Sequence, residues 1–430
     1  MKENVLIFPC NGLNSINIYD SLRYNLHFNV YGASGILNHS YYCYPKENIY
    51  ISEKLYIDNE QFITELNNLI KKWNISFIIP THDTITKFLM ENEKNINATI
   101  VSSPYETALI AENKKIMYET LIDCEYLPKI YHKGEIIDYP VFLKPSVGAG
   151  GKGTKLVNNR EELEIELEKN PDLNICEYLP GEEYTIDCFT NRNGELLFIG
   201  PRTRERITNG VSYVSRRVEL TDEIKNIAKS LNSKVTFRGT WFFQLKKDKN
   251  GALKFMEFST RTAGTMAFYR QLGVNFALLS LFDFMNYDVD ILFNDFNLTL
   301  DRGTETLYKL DYQYNTIYLD YDDTLIVNDK VNSDIIKLIY QAHNKNINVV
   351  LLSKHLGKLE DSMKKHYLAN DIFDEIIIIN GDEDKSQYIK TNKAIFIDNY
   401  YLERKKVYEK CHIPVFDVDA VSCLLDRSEY

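Results

Sequence analysis

Disulfide frameworks, membrane spans and nucleic-acid grooves all leave marks that this chain lacks. Its 430 residues hold seven cysteines (Cys10, Cys43, Cys124, Cys176, Cys188, Cys411 and Cys423), and no two form a C-x-x-C pair. An odd, widely spaced set argues against a disulfide framework or zinc site, and for reduced thiols in a cytoplasmic protein, most of them small core residues. No apolar run approaches the ~20 residues that a membrane helix needs. The opening MKENVLIFPCNG has too few apolar residues before polar ones for a signal peptide. No membrane partner is expected. Basic residues are in deficit, 50 against 61 acidic ones, for a net charge of −11 without any block of like charge. That excludes a general nucleic-acid groove, though not a local cationic pocket. Internal repeats and low-complexity segments are absent. A composition of 44% hydrophobic and 26% charged residues is that of a soluble globular protein, and the length predicts two or three domains.

Glycine is scarce, 19 in all, yet Gly148, Gly150, Gly151 and Gly153 crowd into the stretch PVFLKPSVGAGGKGTKLV (140–157). The spacing of Gly148, Gly150 and Gly153 fits G-x-G-x-x-G, a weak match alone. A dinucleotide fold needs a helix after the glycines; here an apolar strand precedes them and another, TKLV, follows. The result is a glycine flap between strands, able to close backbone N–H groups over a polyphosphate. Lys144 on the incoming strand and Lys152 in the loop supply charge for phosphate. An ordinary glycine-rich hairpin would explain the glycines but not the lysines.

Residues 1–105 alternate strand (4–8, 28–34, 75–80) and helix (14–25, 59–74), which predicts a parallel sheet covered by helices. Thr81, His82 and Asp83 fall at a strand's carboxyl end, where such sheets bind ligands; Asp83 fits a helix cap equally well. Residues 106–300 mix helices with longer antiparallel strands, including GTWFFQLKKD and ALKFMEFS joined by a turn at Asn250-Gly251. A polar stretch, 301–315, separates this region from a second α/β unit of about 115 residues, 312–430.

Three elements accompany the flap. CEYLPGEEYTIDC (176–188) puts Glu177 and Glu183 beside a sharp bend; the hairpin register lets Gln244 and Glu257 point to one face, as oxygen donors suited to Mg²⁺; and FSTRTAG puts Ser259 and Arg261 just beyond. In this order, YPVFLKP…GAGGKG, EYLPGEEYTID and WFFQ…FMEFSTR resemble the ATP-grasp superfamily, close to the carbamoyl-phosphate synthetase and biotin carboxylase type. The resemblance covers roughly the first 300 residues. It implies a Rossmann-like pre-ATP-grasp domain (1–105) followed by the ATP-grasp domain (106–300). It further implies that Lys114 and Lys144 contact the ATP phosphates under the flap of Gly150, Gly151, Lys152 and Gly153. The backbone of Glu177, Tyr178 and Leu179 would read adenine, and Glu183 would hold ribose. Gln244 and Glu257 would ligate Mg²⁺ (or Mn²⁺), and Arg261 would steady the phosphoryl group. Where the family has Asn this chain has Ser259, which implies a weaker second metal site or one completed by water. Arg202, Arg204 and Arg206, in GPRTRERITNG, are either bidentate grips for an anionic substrate or solvated loop charges.

In the C-terminal unit TIYLDYDDTLI puts Asp320 at the exit of a buried strand, followed by Asp322 and Thr324. Ser353 ends a second strand, Lys385 begins a helix, and Asp398 ends a further strand. Exits of parallel strands share one edge, so these groups converge. In this order they resemble the haloacid dehalogenase-like (HAD-like) phosphohydrolases, over residues 312–430, with a doubly wound sheet. That resemblance implies Asp320 as nucleophile, Asp322 as general acid/base, Ser353 and Lys385 as phosphoryl ligands, and Asp320, Asp322 and Asp398 around Mg²⁺. Asn399 stands where the family often has a second acid. The gaps around Ser353 are too short for a cap domain.

The fold class expected is therefore α/β and α+β multidomain. The function expected is an ATP-dependent carboxylate–amine ligase fused to a phosphatase, taking a small carboxylate, an amine and a phosphorylated small molecule. The alternatives are an ATP-dependent phosphotransferase with a product-trimming phosphatase, and a nucleotide-binding regulatory protein without turnover. A homo-oligomer is left open.

Overall fold

The computed structural model describes residues 2–37, 43–132, 135, 137–148, 150–208, 210–303 and 306–425. The chain forms two compact units, Met1–Tyr19 with His27–Met266 and Phe276–Asp290, and Asp20–Leu26 with Ala267–Asn275 and Ile291–Tyr430.

The first unit opens with strands β1 (Glu3–Phe8), β2 (Phe28–Ser34), β3 (Ile49–Ile51), β4 (Ile75–Pro80) and β5 (Thr99–Ile100). They pair in parallel in the order β3-β2-β1-β4-β5. Helices α1 (Leu13–Leu22), α2 (Phe62–Trp73), α3 (Asp83–Glu91) and α4 (Tyr105–Glu112) fall between or after them. On α2 the buried Phe62, Leu66, Leu69 and Ile70 form one apolar stripe at helical spacing, and Asn74 ends the helix with a left-handed φ of 49°.

After α5 (Lys114–Thr120) come β6 (Ile130–Tyr131), β7 (Val141–Pro145), β8 (Lys155–Val157), α6 (Arg160–Lys169) and β9 (Leu173–Glu177). These four strands form an antiparallel sheet, β6-β9-β7-β8. A second antiparallel sheet, in the order β11-β10-β14-β15, uses β10 (Glu183–Thr190), β11 (Leu196–Thr203), β14 (Gly239–Lys247) and β15 (Leu253–Ser259). Between β11 and β14 lie the hairpin β12 (Glu205–Thr208) and β13 (Val211–Arg216) and helix α7 (Asp222–Lys234). The Thr221 side chain caps α7 by accepting from the Ile224 N–H, and Ile224, Ile227, Ala228 and Leu231 bury its apolar face. Trp241 is the largest buried side chain here. It stacks on Phe237 with ring centroids 3.8 Å apart, and its indole N–H donates to Thr190 at 2.9 Å. Helix α8 (Ala267–Gln271) belongs to the second unit, and α9 (Phe276–Phe284) returns to the first.

In the second unit β16 (Asn297–Arg302) and β17 (Thr306–Asp311) pair antiparallel, so the stretch expected as a polar separator is largely strand. There follow β18 (Thr316–Leu319), the small hairpin β19 (Ile326–Val327) and β20 (Lys330–Val331), and α10 (Ser333–Asn344). Then come β21 (Asn348–Ser353), α11 (Leu359–Lys365), β22 (Glu375–Ile378), β23 (Ala394–Ile397), α12 (Tyr401–Cys411) and β24 (Val415–Phe416). The main sheet is wholly parallel, in the order β22-β21-β18-β23-β24. Its central strand, β18, is buried along its length. Lys385 opens a single 3₁₀ turn, Lys385–Tyr388, where an α-helix was expected. Among the described residues no helix is long and apolar enough to cross a membrane, and all seven cysteines are free.

Candidate functional site

The two antiparallel sheets of the first unit contribute to one cavity of about 680 Å³. Its lining includes Lys114, Lys144, Gly148, Gly150, Gly151, Lys152, Glu177, Tyr178, Leu179, Glu183, Arg204, Gln244 and Glu257. Residues from five separate stretches of sequence, expected to act together, thus meet in space. A register shift explains one pair: Leu245 on β14 faces Phe255 on β15, Met256 is the extra residue, and Gln244 therefore lies opposite Glu257. Gly153 does not line the cavity; its φ is +73°, and a Cβ there would meet Pro145 Cγ at 2.9 Å. It shapes the loop rather than touching the space.

Lys144 has the most telling electrostatics. It is 7% exposed, and among the described residues its one hydrogen-bond acceptor is the Tyr118 hydroxyl at 3.2 Å. Burial raises the Tyr118 phenol well above its usual range, so this partner is neutral. An ammonium buried at a cavity wall without a carboxylate is suited to an anionic ligand. Lys114 instead spans the rim, with its Nζ 3.2 Å from Glu257 Oε2 and 2.9 Å from the Gly148 carbonyl. Glu183 pairs with Arg204 and, at 3.6 Å, with Lys246. Arg204 also donates to the Gly210 carbonyl at 2.7 Å, and burial lowers its guanidinium below the ordinary arginine value.

Four expected residues lie elsewhere. Arg202 is 1% exposed: Nε and Nη2 donate to the two oxygens of Asp187 at 2.6 and 3.1 Å, and Nη1 reaches Ser215 and Thr265. Its donors are consumed inside the first unit, so the expected grip on a substrate is not available to it. Arg206, with a φ of +43°, is exposed. Ser259 donates to Asp83, and Arg261 makes a two-pronged contact with Asp83 Oδ2 at 2.8 and 3.1 Å. Ser259, expected as a metal ligand, and Arg261, expected at the phosphoryl group, thus both tie β15 and its exit to the start of α3. Burial alone would raise the Asp83 carboxyl, but Arg261 and Ser259 more than offset it and hold it below the usual range.

Several lining residues carried no local sequence signal. Phe142, Ile207 and Met256 join Leu179 as the apolar lining, and Gly210, in the β12–β13 turn, abuts the flap. A Cβ on Gly210 would lie 2.5 Å from the Gly150 carbonyl carbon.

Family comparison covers this region in two pieces. Residues 106–174 match the carbamoyl-phosphate synthase L chain ATP-binding domain, and residues 169–296 match "ATP-grasp in the biosynthetic pathway with Ter operon". Together the two matches run over residues 106–296, a region of ATP-grasp type. The chain is similar to the arginine-specific carbamoyl phosphate synthase large chain of Bacillus subtilis, 26% identical over 244 residues, covering 50% of this chain and 23% of that protein. The chain therefore spans less than a quarter of that relative. Among solved structures, the biotin carboxylase domain of Hydrogenobacter thermophilus 2-oxoglutarate carboxylase, in complex with MgADP and bicarbonate, matches with a TM-score of 0.57 at 16% identity, covering 70% of this chain and 74% of that one. The L-amino acid ligase of Bacillus licheniformis matches with a TM-score of 0.56 at 17% identity, covering 70% and 79%. At these identities the structural likeness concerns the fold alone.

The second unit holds another cluster, at the carboxyl ends of three adjacent strands. Asp320 follows β18, Ser353 ends β21, and Asp398 follows β23; all are buried, as is Lys385. Lys385 Nζ stands 2.6 Å from Asp320 Oδ1 and 2.6 Å from Asp398 Oδ2. Burial opposes the lysine's charge, but the two carboxylates outweigh it and raise its pKa. Burial, then the nearby Asp320, raises Asp398. Thr324 Oγ1 donates to Asp320 at 3.3 Å and accepts from the Asn399 N–H at 3.0 Å. Ser353 Oγ is buried and, among the described residues, has no hydrogen-bond partner. Two buried carboxyl groups flank one ammonium, and both offer hard oxygen donors. Among the described residues, however, no three acidic, histidine or cysteine side chains gather as a metal cage. Asp322 stands apart: its carboxylate contacts His355 Nδ1 rather than Lys385.

Proposed function

We propose that this chain is an ATP- and Mg²⁺-dependent carboxylate–amine ligase working through an acyl phosphate, joined to a HAD-like phosphohydrolase. The reading assigns residues 1–105 to a pre-ATP-grasp domain, 106–300 to the ATP-grasp domain and 312–430 to the hydrolase, in a cytoplasmic protein. The observation that carries the ligase reading is Lys144, a buried ammonium that faces a glycine-flapped cavity and whose one hydrogen-bond partner among the described residues is neutral. Lys114 and Lys144 would meet the phosphates while the flap closes over them. Glu183 would hold ribose, and Leu179 with Phe142, Ile207 and Met256 offers an apolar seat for a base. Gln244 and Glu257, opposite each other in register, fit a hard cation and would hold Mg²⁺, which would supply charge neutralisation at the phosphates.

The substrate carboxylate oxygen attacks the terminal phosphorus and ADP departs. The amine nitrogen then attacks the activated carbonyl carbon, phosphate leaves, and the nitrogen loses a proton. The protein's share is positioning and charge. ADP and phosphate should therefore be the products, and Lys144→Ala and Glu257→Ala should abolish turnover in folded protein. AMP as the main nucleotide product, or undiminished turnover in both variants, overturns the ligase reading.

For the second unit the supporting observation is the Asp320–Lys385–Asp398 cluster beside the unpartnered Ser353 hydroxyl. Asp320 would act as nucleophile, Ser353 and Lys385 would bind phosphoryl oxygens, and Asp320 and Asp398 would hold Mg²⁺. Asp320→Asn should remove Mg²⁺-dependent hydrolysis of a phosphate monoester and leave ATP turnover nearly intact. Retained hydrolysis in that variant overturns the assignment.

A further inference from the structure

We infer that His355 is the positioning residue for Asp322, an inference that rests on the phosphohydrolase reading of the second unit. Asp322 follows the central strand, and its side chain is 50% exposed, so nothing in burial fixes where the carboxyl points. His355, in the loop after β21, is only 10% exposed and brings Nδ1 to 2.9 and 3.0 Å from the two carboxyl oxygens. The imidazole is itself held. Its ring stands edge-on to Tyr321, with centroids 5.1 Å apart at 77°, and Tyr321 is fully buried with its hydroxyl 3.1 Å from Ser362 Oγ on α11. A fixed chain, Ser362–Tyr321–His355, thus ends on a carboxyl that would otherwise sweep through solvent. An ion pair between two mobile surface groups would contribute little. A pair with one immobilised partner instead restricts the other, which is what a proton-transfer group two residues from the nucleophile requires.

The chemistry it would serve has two steps. An Asp320 oxygen bonds to the ester phosphorus, the P–O bond to the leaving group breaks, and the departing oxygen takes the proton of the Asp322 carboxyl. Water then attacks the phosphoaspartate phosphorus and yields its proton to the Asp322 carboxylate. Phosphate leaves, and Asp320 is regenerated. A poor leaving group such as an alkoxide needs the proton in the first step, whereas nitrophenolate does not.

The test compares kcat/KM, which reports on steps up to phosphoenzyme formation, for 4-nitrophenyl phosphate and a simple alkyl phosphate in the full chain. His355→Ala should lower the alkyl-to-aryl ratio by about tenfold or more, within the 10²–10⁴ range that general acid catalysis spans. His355→Asn, which keeps an N–H close to the Nδ1 position, should restore most of that ratio. In an Asp322→Asn background, His355→Ala should change the ratio no further. Equal losses on both esters, no loss on either, or additive losses with Asp322→Asn would overturn the role of His355. A wild type inactive on both esters would overturn the phosphohydrolase reading itself, and the inference with it.

Discussion

Arg202 offers the sharpest quantitative test of the geometry, because the sequence invites a substrate role and the structure surrounds it with protein. Its guanidinium and the Asp187 carboxylate have side-chain exposures of 1% and 0%. Replacing Asp187 with leucine leaves a buried cation with only Ser215 and Thr265 beside it. Removing one member of a buried pair typically destabilises by about 3–5 kcal/mol, since the remaining charge loses its compensation. At about 1.4 kcal/mol per factor of ten, the unfolding equilibrium should shift by roughly two to three and a half orders of magnitude. Burial dominates over Arg202 at Asp187 and raises its carboxyl, so desolvation of the pair is substantial. The double variant Asp187→Leu/Arg202→Met should accordingly return to within about 1 kcal/mol of wild type, or exceed it. Both tryptophans, Trp73 and Trp241, lie in the first unit, so urea unfolding followed by their fluorescence isolates this unit. A single-variant loss below about 1 kcal/mol would refute the internal-pair reasoning. So would a double variant that is stable but has lost ATP turnover, since that would return Arg202 to the substrate.

Two further outcomes follow from the first unit. Gly210→Ala should raise the KM for ATP on the order of tenfold or more while kcat falls less, because a Cβ at a φ of +72° would strike the Gly150 backbone and hold the flap away; an unchanged KM would mean that the flap does not need this contact. Asp83 has a folded pKa depressed by Arg261 and Ser259, so its contribution is present above the unfolded carboxylate pKa of about 3.9 and lost as pH falls through the lower folded value. The stability gap between wild type and Asp83→Asn, measured by urea unfolding, should therefore be full near pH 7 and shrink below about pH 4; a gap constant across that window would disprove the linkage.

Much of this arrangement was legible because it is written in local pattern. The glycine run between two apolar strands, and the hairpin that carries Gln244 and Glu257, follow from local pattern and turn chemistry, but the register shift at Met256 that sets those two residues opposite each other does not. The arginines part company for a physical reason. They are spaced by two, but β11 ends at Thr203 and Arg206 takes a left-handed φ. The three side chains consequently enter an ion pair inside the protein, the cavity wall and the surface. Phe142, Ile207 and Met256 escaped notice because a single apolar residue on a strand looks the same in a core as at a ligand seat. Strands β3, β5 and β24, two or three residues each, are too short for any period to register. His355 lies outside the motif positions, and only the tertiary approach of the β21 loop to Asp322 reveals it.

The division of the chain has a consequence for its genetics. The C-terminal unit takes in Asp20–Leu26 and Ala267–Asn275 as well as the residues from Ile291 onward. A gene split near residue 300 would therefore not yield two self-sufficient products. The downstream fragment would be made without two of its own pieces, and the upstream fragment would carry them as orphans. A single crossover near that point would accordingly separate the second unit from two of its own segments.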